Sequence, residues 1–391
     1  MNAFRPASRR LLAAAGLFSL ALSACGLNQA APPKPLTHPK THNRTTSNGK
    51  PKATPAVKLG WKSHHANPYL PGDLMIADSF NSRILIVTPG KRIVWQFPSP
   101  GTTPNQPFTE PDDAFFGPHF NEIITNEENF QTIAIINFNS KKVVWEYGHH
   151  AVPGSLPGYL NTPDDAFLYS KPGGDVVTVA DIVNQRILFI NRNTKQIIKQ
   201  YGQTDVQAVN PPTTYGAPNG DFPAPNGGTL ITQINGNDAV LVNKSGQVVW
   251  TLHFPAGLSY PSDANFTPHG NVIVAFYTKP GAIVKMNPHT GQVLWEYRYT
   301  SGSAALNHPS LAVELPNGMI ALNDDRNDRV LIIDPKTNKI VWQYGHTGVP
   351  GSAPGYLNIP DGLDFLPAGI TPGNPKNPIG HHLWSYPGNG Y

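Results

Sequence analysis

Six short side chains that carry oxygen recur along the chain, each directly after a proline and at intervals of roughly 50 residues. They are Asp112, Asp164, Asn219, Ser262, Ser310 and Asp361. Three carboxylates and three neutral oxygens match the preference of Ca²⁺, which takes about 6–8 oxygen ligands. If the fold brings these positions into a ring, the sequence predicts a calcium site. The alternative is that each residue only hydrogen-bonds the backbone at a tight bend, the usual role of Asp, Asn and Ser.

A second group of candidate residues lies in a segment that the chain contains twice. Residues 147–164 read YGHHAVPGSLPGYLNTPD, and residues 344–361 read YGHTGVPGSAPGYLNIPD. The paired candidates for a ligand site at the rim of the molecule are His149, Tyr159, Asn161, His346, Tyr356 and Asn358. The prolines and glycines predict rigid loops, which would suit a preformed site. The alternative is a packing motif, in which Tyr and Leu cover the fold while Asn caps a turn.

The elements that must position these residues are short strands in six repeats between Gly72 and Phe365. Each repeat has a strand such as DDAFF, a β-branched strand such as NVIVAF, a third such as RILIV and a last such as VVWEY. Turn signals between them indicate antiparallel sheet. A four-stranded unit that is repeated in this way is typical of a β-propeller. The sequence therefore predicts an all-β fold, a six-bladed β-propeller of four-stranded antiparallel blades.

The closure of this ring has two solutions in the sequence. The segment PDGLDF at residues 360–365 looks like a first strand with no blade after it, and the first blade lacks such a strand before Leu74. The simplest closure uses the C-terminal segment as the inner strand of blade one. In the alternative, His65 to Leu70 fills that place.

Two short patterns connect the repeats to known propellers. Thr290, Gly291 and Trp295 resemble the tryptophan-docking repeat of quinoprotein-like propellers, and Asp-x-x-Asn-x-Arg is similar to the repeat core of NHL propellers. The second pattern occurs at Asp78/Asn81/Arg83, Asp181/Asn184/Arg186 and Asp324/Asn327/Arg329. These resemblances imply the fold and not a function, because propellers host many activities. We expect the tryptophans to pack between blades and the Asp and Asn to close turns.

The N-terminus reads as a targeting segment. A basic start is followed by an apolar run from Leu11 to Leu22 and then by Ser23-Ala24-Cys25-Gly26, which resembles the lipobox of bacterial lipoproteins. The resemblance implies cleavage after Ala24, a lipid on Cys25 and an extracytoplasmic protein anchored to a bacterial membrane. The predicted organisation is a signal peptide at 1–24, a lipidated cysteine and flexible, disordered tether at 25–60, the propeller at 61–370 and a C-terminal tail at 371–391.

The charge and the motif content of the chain limit the classes of function that it can have. The net charge is +4, but three arginines lie in the predicted signal peptide, and the rest is nearly neutral with no basic stripe. Nucleic acid is therefore not an expected partner. The chain has no Gly-x-Ser-x-Gly, no His-Glu-x-x-His and no phosphate-binding loop. A redox protein with a quinone cofactor is a third possibility that the tryptophan repeat suggests, but six blades and the absence of a vicinal cysteine pair count against it. Ca²⁺ is the cofactor that the ring residues themselves suggest.

These observations favour a binding or scaffold protein that uses the channel face of the propeller, with an envelope protein or a small molecule as its ligand. The alternative is an enzyme at the mouth of the channel. His308 before Pro309 resembles bacterial arylsulfotransferases, in which a channel histidine is the nucleophile, so His308 is the candidate catalytic residue. The polar ring is similar in composition to six-bladed lactonases of the gluconolactonase type, which would imply a metal-dependent hydrolase.

Overall fold

The computed structural model describes residues 62–171, 173–224 and 227–377. The predicted signal peptide, Cys25, the tether at 25–60 and the tail from residue 378 onward lie outside the described residues. In the described ranges, 24 strands form six four-stranded antiparallel sheets. The predicted all-β, six-bladed propeller is confirmed.

The strands of the first three blades follow the chain. Blade one holds β1 (Gly72–Asp78), β2 (Arg83–Val87) and β3 (Ile93–Phe97). Blade two holds β4 (Ala114–Phe116), β5 (Glu122–Glu127), β6 (Thr132–Asn137) and β7 (Lys142–Gly148). Blade three holds β8 (Pro163–Tyr169), β9 (Val176–Asp181), β10 (Arg186–Asn191) and β11 (Ile197–Tyr201).

The remaining strands complete the ring. Blade four holds β12 (Pro218–Ala224), β13 (Gly228–Gln233), β14 (Asp238–Val242) and β15 (Val248–His253). Blade five holds β16 (Pro261–Phe266), β17 (Val272–Phe276), β18 (Ala282–Met286) and β19 (Val293–Tyr297). Blade six holds β20 (Ala312–Glu314), β21 (Ile320–Asp324), β22 (Arg329–Asp334) and β23 (Lys339–Gly345), and the last strand is β24 (Pro360–Pro367). Short 3₁₀ turns occur at Ser79–Asn81, Pro118–Phe120, Glu128–Phe130 and Asp325–Asn327. No helix in the described ranges is both long and apolar enough to cross a membrane.

The burial of each strand explains its sequence. Middle strands such as β2 (RILIV) and β9 (VVTVAD) are buried along their whole length, because a neighbouring blade covers each face of the sheet. A continuous β-branched run suits such a strand. The outer strand β7 (KVVWEYG) instead alternates between buried and more exposed positions, as a half-covered strand should.

The ring closes through the C-terminal strand. β24 pairs with β1 and becomes the inner strand of blade one. Asp364 in β24 also accepts a hydrogen bond from the backbone N–H of Phe116 in blade two, at 2.8 Å. The simpler of the two predicted closures is therefore right. The alternative with His65 to Leu70 is wrong, because those residues form no strand.

The tryptophan repeat joins neighbouring blades. The indole N–H of Trp145 donates to the carbonyl oxygen of Arg192, which lies in the turn between the third and fourth strands of the next blade. Trp95 and Trp342 donate to the same turn of their own neighbours, at 2.9 and 3.0 Å. Where Lys199 replaces tryptophan, its ammonium group donates to the carbonyl oxygen of Lys244 in the equivalent turn. The position is thus a contact between blades, as the sequence indicated.

Candidate functional site

All six residues of the predicted ring line one cavity at the mouth of the channel. The cavity has a volume of about 80 Å³, and Asp112, Asp164, Asn219, Ser262, Ser310 and Asp361 contribute to its wall. It lies on the face that carries the loops from each outer strand to the next inner strand and the turns between second and third strands. We call this the top face.

A second layer of acidic side chains lines the same cavity. Asp113, Asp165 and Asp263 each follow a ring position directly, and Glu128 comes from the 3₁₀ turn at 128–130. Strict alternation along a strand would send neighbouring side chains to opposite faces. The register of β8 shifts between Asp164 and Ala166, however, and a β-bulge of this kind re-aims a side chain. Sequence reasoning missed this layer, although the repeated doublets DD, DD and SD marked it.

The backbone before each ring position has an unusual conformation. The residue that precedes the blade-opening proline has a φ between 48° and 59° in all six blades. These residues are Glu110, Thr162, Ala217, Tyr260, His308 and Ile359. A positive φ is costly for residues other than glycine, and most of all for the β-branched Thr162 and Ile359. The bend that directs the ring side chains into the channel is therefore imposed by the surrounding fold.

Hydrogen bonds of the ring residues connect adjacent blades. The Asn219 Nδ2 group donates to the carbonyl oxygens of Pro261, at 3.1 Å, and of Ser262. Ser310 Oγ lies 2.9 Å from Asp325 Oδ1 and 2.9 Å from the carbonyl oxygen of Asp361. The Asn219 side chain and the Ser310 bond to Asp361 thus connect neighbouring blades, which differs from the local bend predicted in the alternative, and Asn219 Oδ1 is left without a partner.

Several oxygens in this region have no donor. Asp165 Oδ1, Asn219 Oδ1 and Asp263 Oδ1 are buried and have no hydrogen-bond partner. The three residues are 1%, 2% and 6% exposed. Because the Asn219 amide nitrogen is already bonded to blade five, the orientation of its amide is fixed. A buried polar atom without a partner is costly, which makes these atoms notable.

Burial and mutual repulsion favour the protonated form of the channel acids. Burial raises the pKa of Asp263 to about 7, and burial together with the charge of Asp361 raises the pKa of Glu128 to about 7. Burial and neighbouring carboxylates raise the pKa well above the usual aspartate value in Asp112, Asp113, Asp164, Asp165 and Asp361. Arg326 acts in the opposite direction on Asp361. None of the described residues lining the cavity is Lys, Arg or His.

The duplicated loops lie apart from this cavity. None of the six rim candidates is among the described residues that line it. In both copies the histidine packs against the tyrosine, with ring centroids 4.2 Å apart for His149 and Tyr159 and 4.2 Å for His346 and Tyr356. His149 also lines a separate groove of about 550 Å³ together with Lys195. The structure therefore places the ring and the rim candidates in different sites.

The Asp-x-x-Asn-x-Arg clusters hold these loops in place. Asp181 Oδ2 accepts bonds from Asn184 Nδ2, at 2.8 Å, and from Arg186 Nε, at 2.7 Å. Arg186 also donates to the carbonyl oxygens of Ser155 and Tyr159 in the first loop. Arg83 makes the equivalent bonds to Ser352 and Tyr356 in the second loop. The backbone N–H groups of Asn161 and Asn358 donate to Asp181 and Asp78, so these two candidates serve the loop anchor through their backbone.

The candidate catalytic residue His308 lies beside the cavity and does not line it. Its ring packs against Tyr277 with centroids 4.8 Å apart, and its Nδ1 lies 2.8 Å from Asn307 Oδ1. Burial and the positive charges of Arg326 and Lys279 lower the pKa of His308. The imidazole of His308 thus contacts a phenol and an amide, and no contact with a channel carboxylate is described for it.

Comparison with known proteins places the chain in a family. The family model described as outer membrane protein assembly factor BamB matches residues 129–354, which is more than half of the chain. The chain belongs to the BamB family. The quinoprotein-like propeller that the tryptophan repeat indicated is thereby confirmed. No curated protein matches the chain.

Solved structures match this BamB family member at low sequence identity. A protein of unknown function from Bacteroides caccae has 16% identity and a TM-score of 0.51, with 75% of this chain and 98% of that chain covered. The nidogen/laminin complex has 11% identity and a TM-score of 0.50, with 74% of this chain and 97% of that chain covered. Virginiamycin B lyase from Staphylococcus aureus has 18% identity and a TM-score of 0.41, with 60% and 69% covered.

Proposed function

We propose that this chain is a lipid-anchored, extracytoplasmic scaffold that binds a protein of the bacterial envelope on its top face. Membership of the BamB family supports a role in the assembly of envelope proteins. The lipobox-like segment that ends at Cys25 would hold the propeller at a membrane through the tether. The propeller itself then supplies the binding surface.

The distribution of exposed apolar side chains is the observation that carries this proposal. The large exposed apolar residues that belong to the loops and turns of the top face are Phe80, Val152, Leu156, Val183, Val206, Val209, Tyr260, Tyr299 and Val349. Most of the others lie on outer strands. Exposed apolar groups that gather on one face mark interaction sites. Phe80 and Val183 lie directly beside the two duplicated loops, since their N–H groups donate to Asn358 and Asn161.

The channel mouth is too small for most organic substrates. Its cavity of about 80 Å³ compares with roughly 300–1,000 Å³ for the pockets that bind small molecules. A partner that covers the top face needs no deep pocket, whereas the alternative of an arylsulfotransferase-like or lactonase-like enzyme does. The size of the cavity therefore counts against a substrate site at the channel mouth and is compatible with a protein partner.

Site-specific photo-crosslinking in cells can test the scaffold proposal. A photoreactive amino acid at Leu156 or Val349 should give crosslinks to an envelope protein, because both side chains project from the top face. The same amino acid at Val249 or Val293, exposed positions on outer strands, is the matched control and should give none.

A second experiment tests the lipid anchor. Replacing Cys25 with Ser should release the protein from the membrane and abolish labelling with a radioactive fatty acid.

Two results would contradict the scaffold proposal. Equal crosslinking from the top-face and outer-strand positions would remove the evidence for a specific face. Turnover of a sulfate ester or a lactone by the purified chain, lost on replacing His308 or Asp164, would favour the enzyme instead.

A further inference from the structure

Two sets of buried acids in this propeller differ in their partners. Asp78, Asp181 and Asp324 each receive the Nε–H of an arginine at 2.6 or 2.7 Å. The channel acids have no such partner, since no described residue lining their cavity is cationic. Buried charges in proteins are paired or bind a metal ion. The three arginine clusters thus give their buried carboxylates a cation, whereas the described lining of the channel mouth supplies none.

Three of the channel carboxylates are close enough to share one ion. One oxygen from each of Asp112, Asp113 and Asp164 lies within 4.8 Å of the other two. Ligand oxygens lie about 2.3–2.6 Å from Ca²⁺, so two oxygens on opposite sides of the ion are separated by about this distance. Asp112 and Asp113 come from blade two and Asp164 from blade three. The ion would thus connect two blades at the axis.

The unpartnered atoms of the cavity supply an independent sign of a ligand. Asn219 lines the same cavity, is 2% exposed, and its Oδ1 has no donor although its Nδ2 is fixed by blade five. Asp165 Oδ1 and Asp263 Oδ1 are also buried and have no hydrogen-bond partner. Asn219 Oδ1 can only accept, and so can the oxygens of Asp165 and Asp263 when the carboxyls are ionised, which is the property required of a ligand to a cation.

We infer that the channel mouth is a Ca²⁺ site in which the carboxylates of Asp112, Asp113 and Asp164 bind the ion directly. Asn219 Oδ1 and the other oxygens of the cavity complete its coordination, directly or through water. The described lining offers oxygen atoms and no imidazole or thiol, which selects a hard cation over zinc or copper. Ca²⁺ is preferred over Mg²⁺ because it accepts more ligands and a less regular geometry. This inference does not depend on the scaffold proposal.

Calorimetric titration of the full-length chain tests the site. The protein is purified in detergent, stripped with a chelator and titrated with CaCl₂ at pH 8. We expect one Ca²⁺ per chain. Replacing Asp112 or Asp164 with Asn should weaken binding by about tenfold or more, since loss of groups around a metal has effects of this size. The matched control is Asp205→Asn, which removes the same charge from an exposed top-face loop and should leave the affinity unchanged.

Terbium luminescence gives a second measurement that needs no variant. Tb³⁺ replaces Ca²⁺ at oxygen sites, and Tyr260 and Tyr277, which line the cavity, would transfer excitation energy to it. Emission excited through tyrosine should appear with one Tb³⁺ per chain and disappear when Ca²⁺ is added.

Two calorimetric results would overturn the inference. They are the absence of binding heat with millimolar Ca²⁺, and a loss of affinity in Asp205→Asn equal to that in the site variants. Mg²⁺ binding with the same affinity would overturn its assignment to Ca²⁺.

Discussion

At the scale of single residues, the channel acids make stability depend on pH. The pKa of Glu128 and of Asp263 is raised to about 7, from 4.5 and 3.8. A carboxyl whose pKa is higher in the folded state contributes stability below its unfolded pKa, and this contribution is lost as pH rises through the folded value. On Glu128 the charge of Asp361 acts in the same direction as burial. On Asp263 the hydrogen bonds with Asn265, Asp165 and the Ala264 N–H act in the opposite direction, but burial outweighs them.

We therefore expect the chelated protein to lose stability as the pH rises from about 5 to about 8. Thermal unfolding followed by circular dichroism at a series of pH values measures this. Glu128→Gln should flatten the dependence, whereas Glu296→Gln, at an exposed outer-strand position, should not. Added Ca²⁺ should also flatten it, because the ion replaces the protons. A stability that increases over this range would contradict the burial of unpaired carboxylates.

The sequence predicted some residues of the channel site and missed others. The six ring positions follow from the repeat, since equivalent positions in a propeller must meet at its axis. The sequence did not predict that Asp113 and Asp165 line the cavity, because the alternation of a regular strand points them away from the channel. The bulge that brings Asp165 back is a property of the backbone in β8. Glu128 comes from a different turn of the blade, which only the packed structure can place beside the ring.

At the scale of elements, the arginine clusters connect a turn of one blade to the loop that enters it. Replacing Arg186 with Met would leave Asp181 buried without its cation and would free the carbonyl oxygens of Ser155 and Tyr159. Breaking a buried pair by removing one partner costs about 3–5 kcal/mol. We expect a loss of this size in the free energy of unfolding, measured by urea denaturation.

The control for this prediction is an exposed arginine. Arg298 lies 3.9 Å from Glu296, and both side chains are 43% exposed, so Arg298→Met should cost less than about 1 kcal/mol. Similar losses in the two variants would show that Arg186 contributes only a surface ion pair. The sequence identified these clusters as turns, and the turn bonds are present. Their bonds to the duplicated loops connect residues 30 and 31 positions apart in the first loop and 270 and 269 positions apart in the second, contacts that a local pattern does not encode.

At the scale of the whole molecule, the ring depends on β24. A chain that ends before Pro360 would leave blade one with three strands and would remove the bond between Asp364 and Phe116. We expect this truncation to abolish cooperative thermal unfolding and to expose apolar surface that binds a fluorescent dye. A chain that ends after residue 377 keeps every described strand and is the matched control. A cooperative transition in both would mean that the ring is stable without its closing strand.

The architecture was the most predictable property of the chain. Turn residues marked each strand boundary, and the repeated outer strand fixed the number of blades. The closure remained open because pairing between β1 and β24 is a contact between distant parts of the chain, for which both segments offered suitable strands. PDGLDF carries the same opening proline and short oxygen-bearing side chain as the other inner strands, and this favours the observed choice.

The closing strand β24 also affects the order in which the blades can form during synthesis. β1 is buried along its whole length in the finished molecule, yet its partner β24 is synthesised about 280 residues later. At a synthesis rate of ~5–20 residues per second, this is a delay on the order of tens of seconds. During that interval β1 presents an unpaired apolar edge, which is a template for pairing with other chains. The first blade to emerge from the ribosome is therefore the last to be completed, and it is the part of the nascent chain with the greatest need for protection.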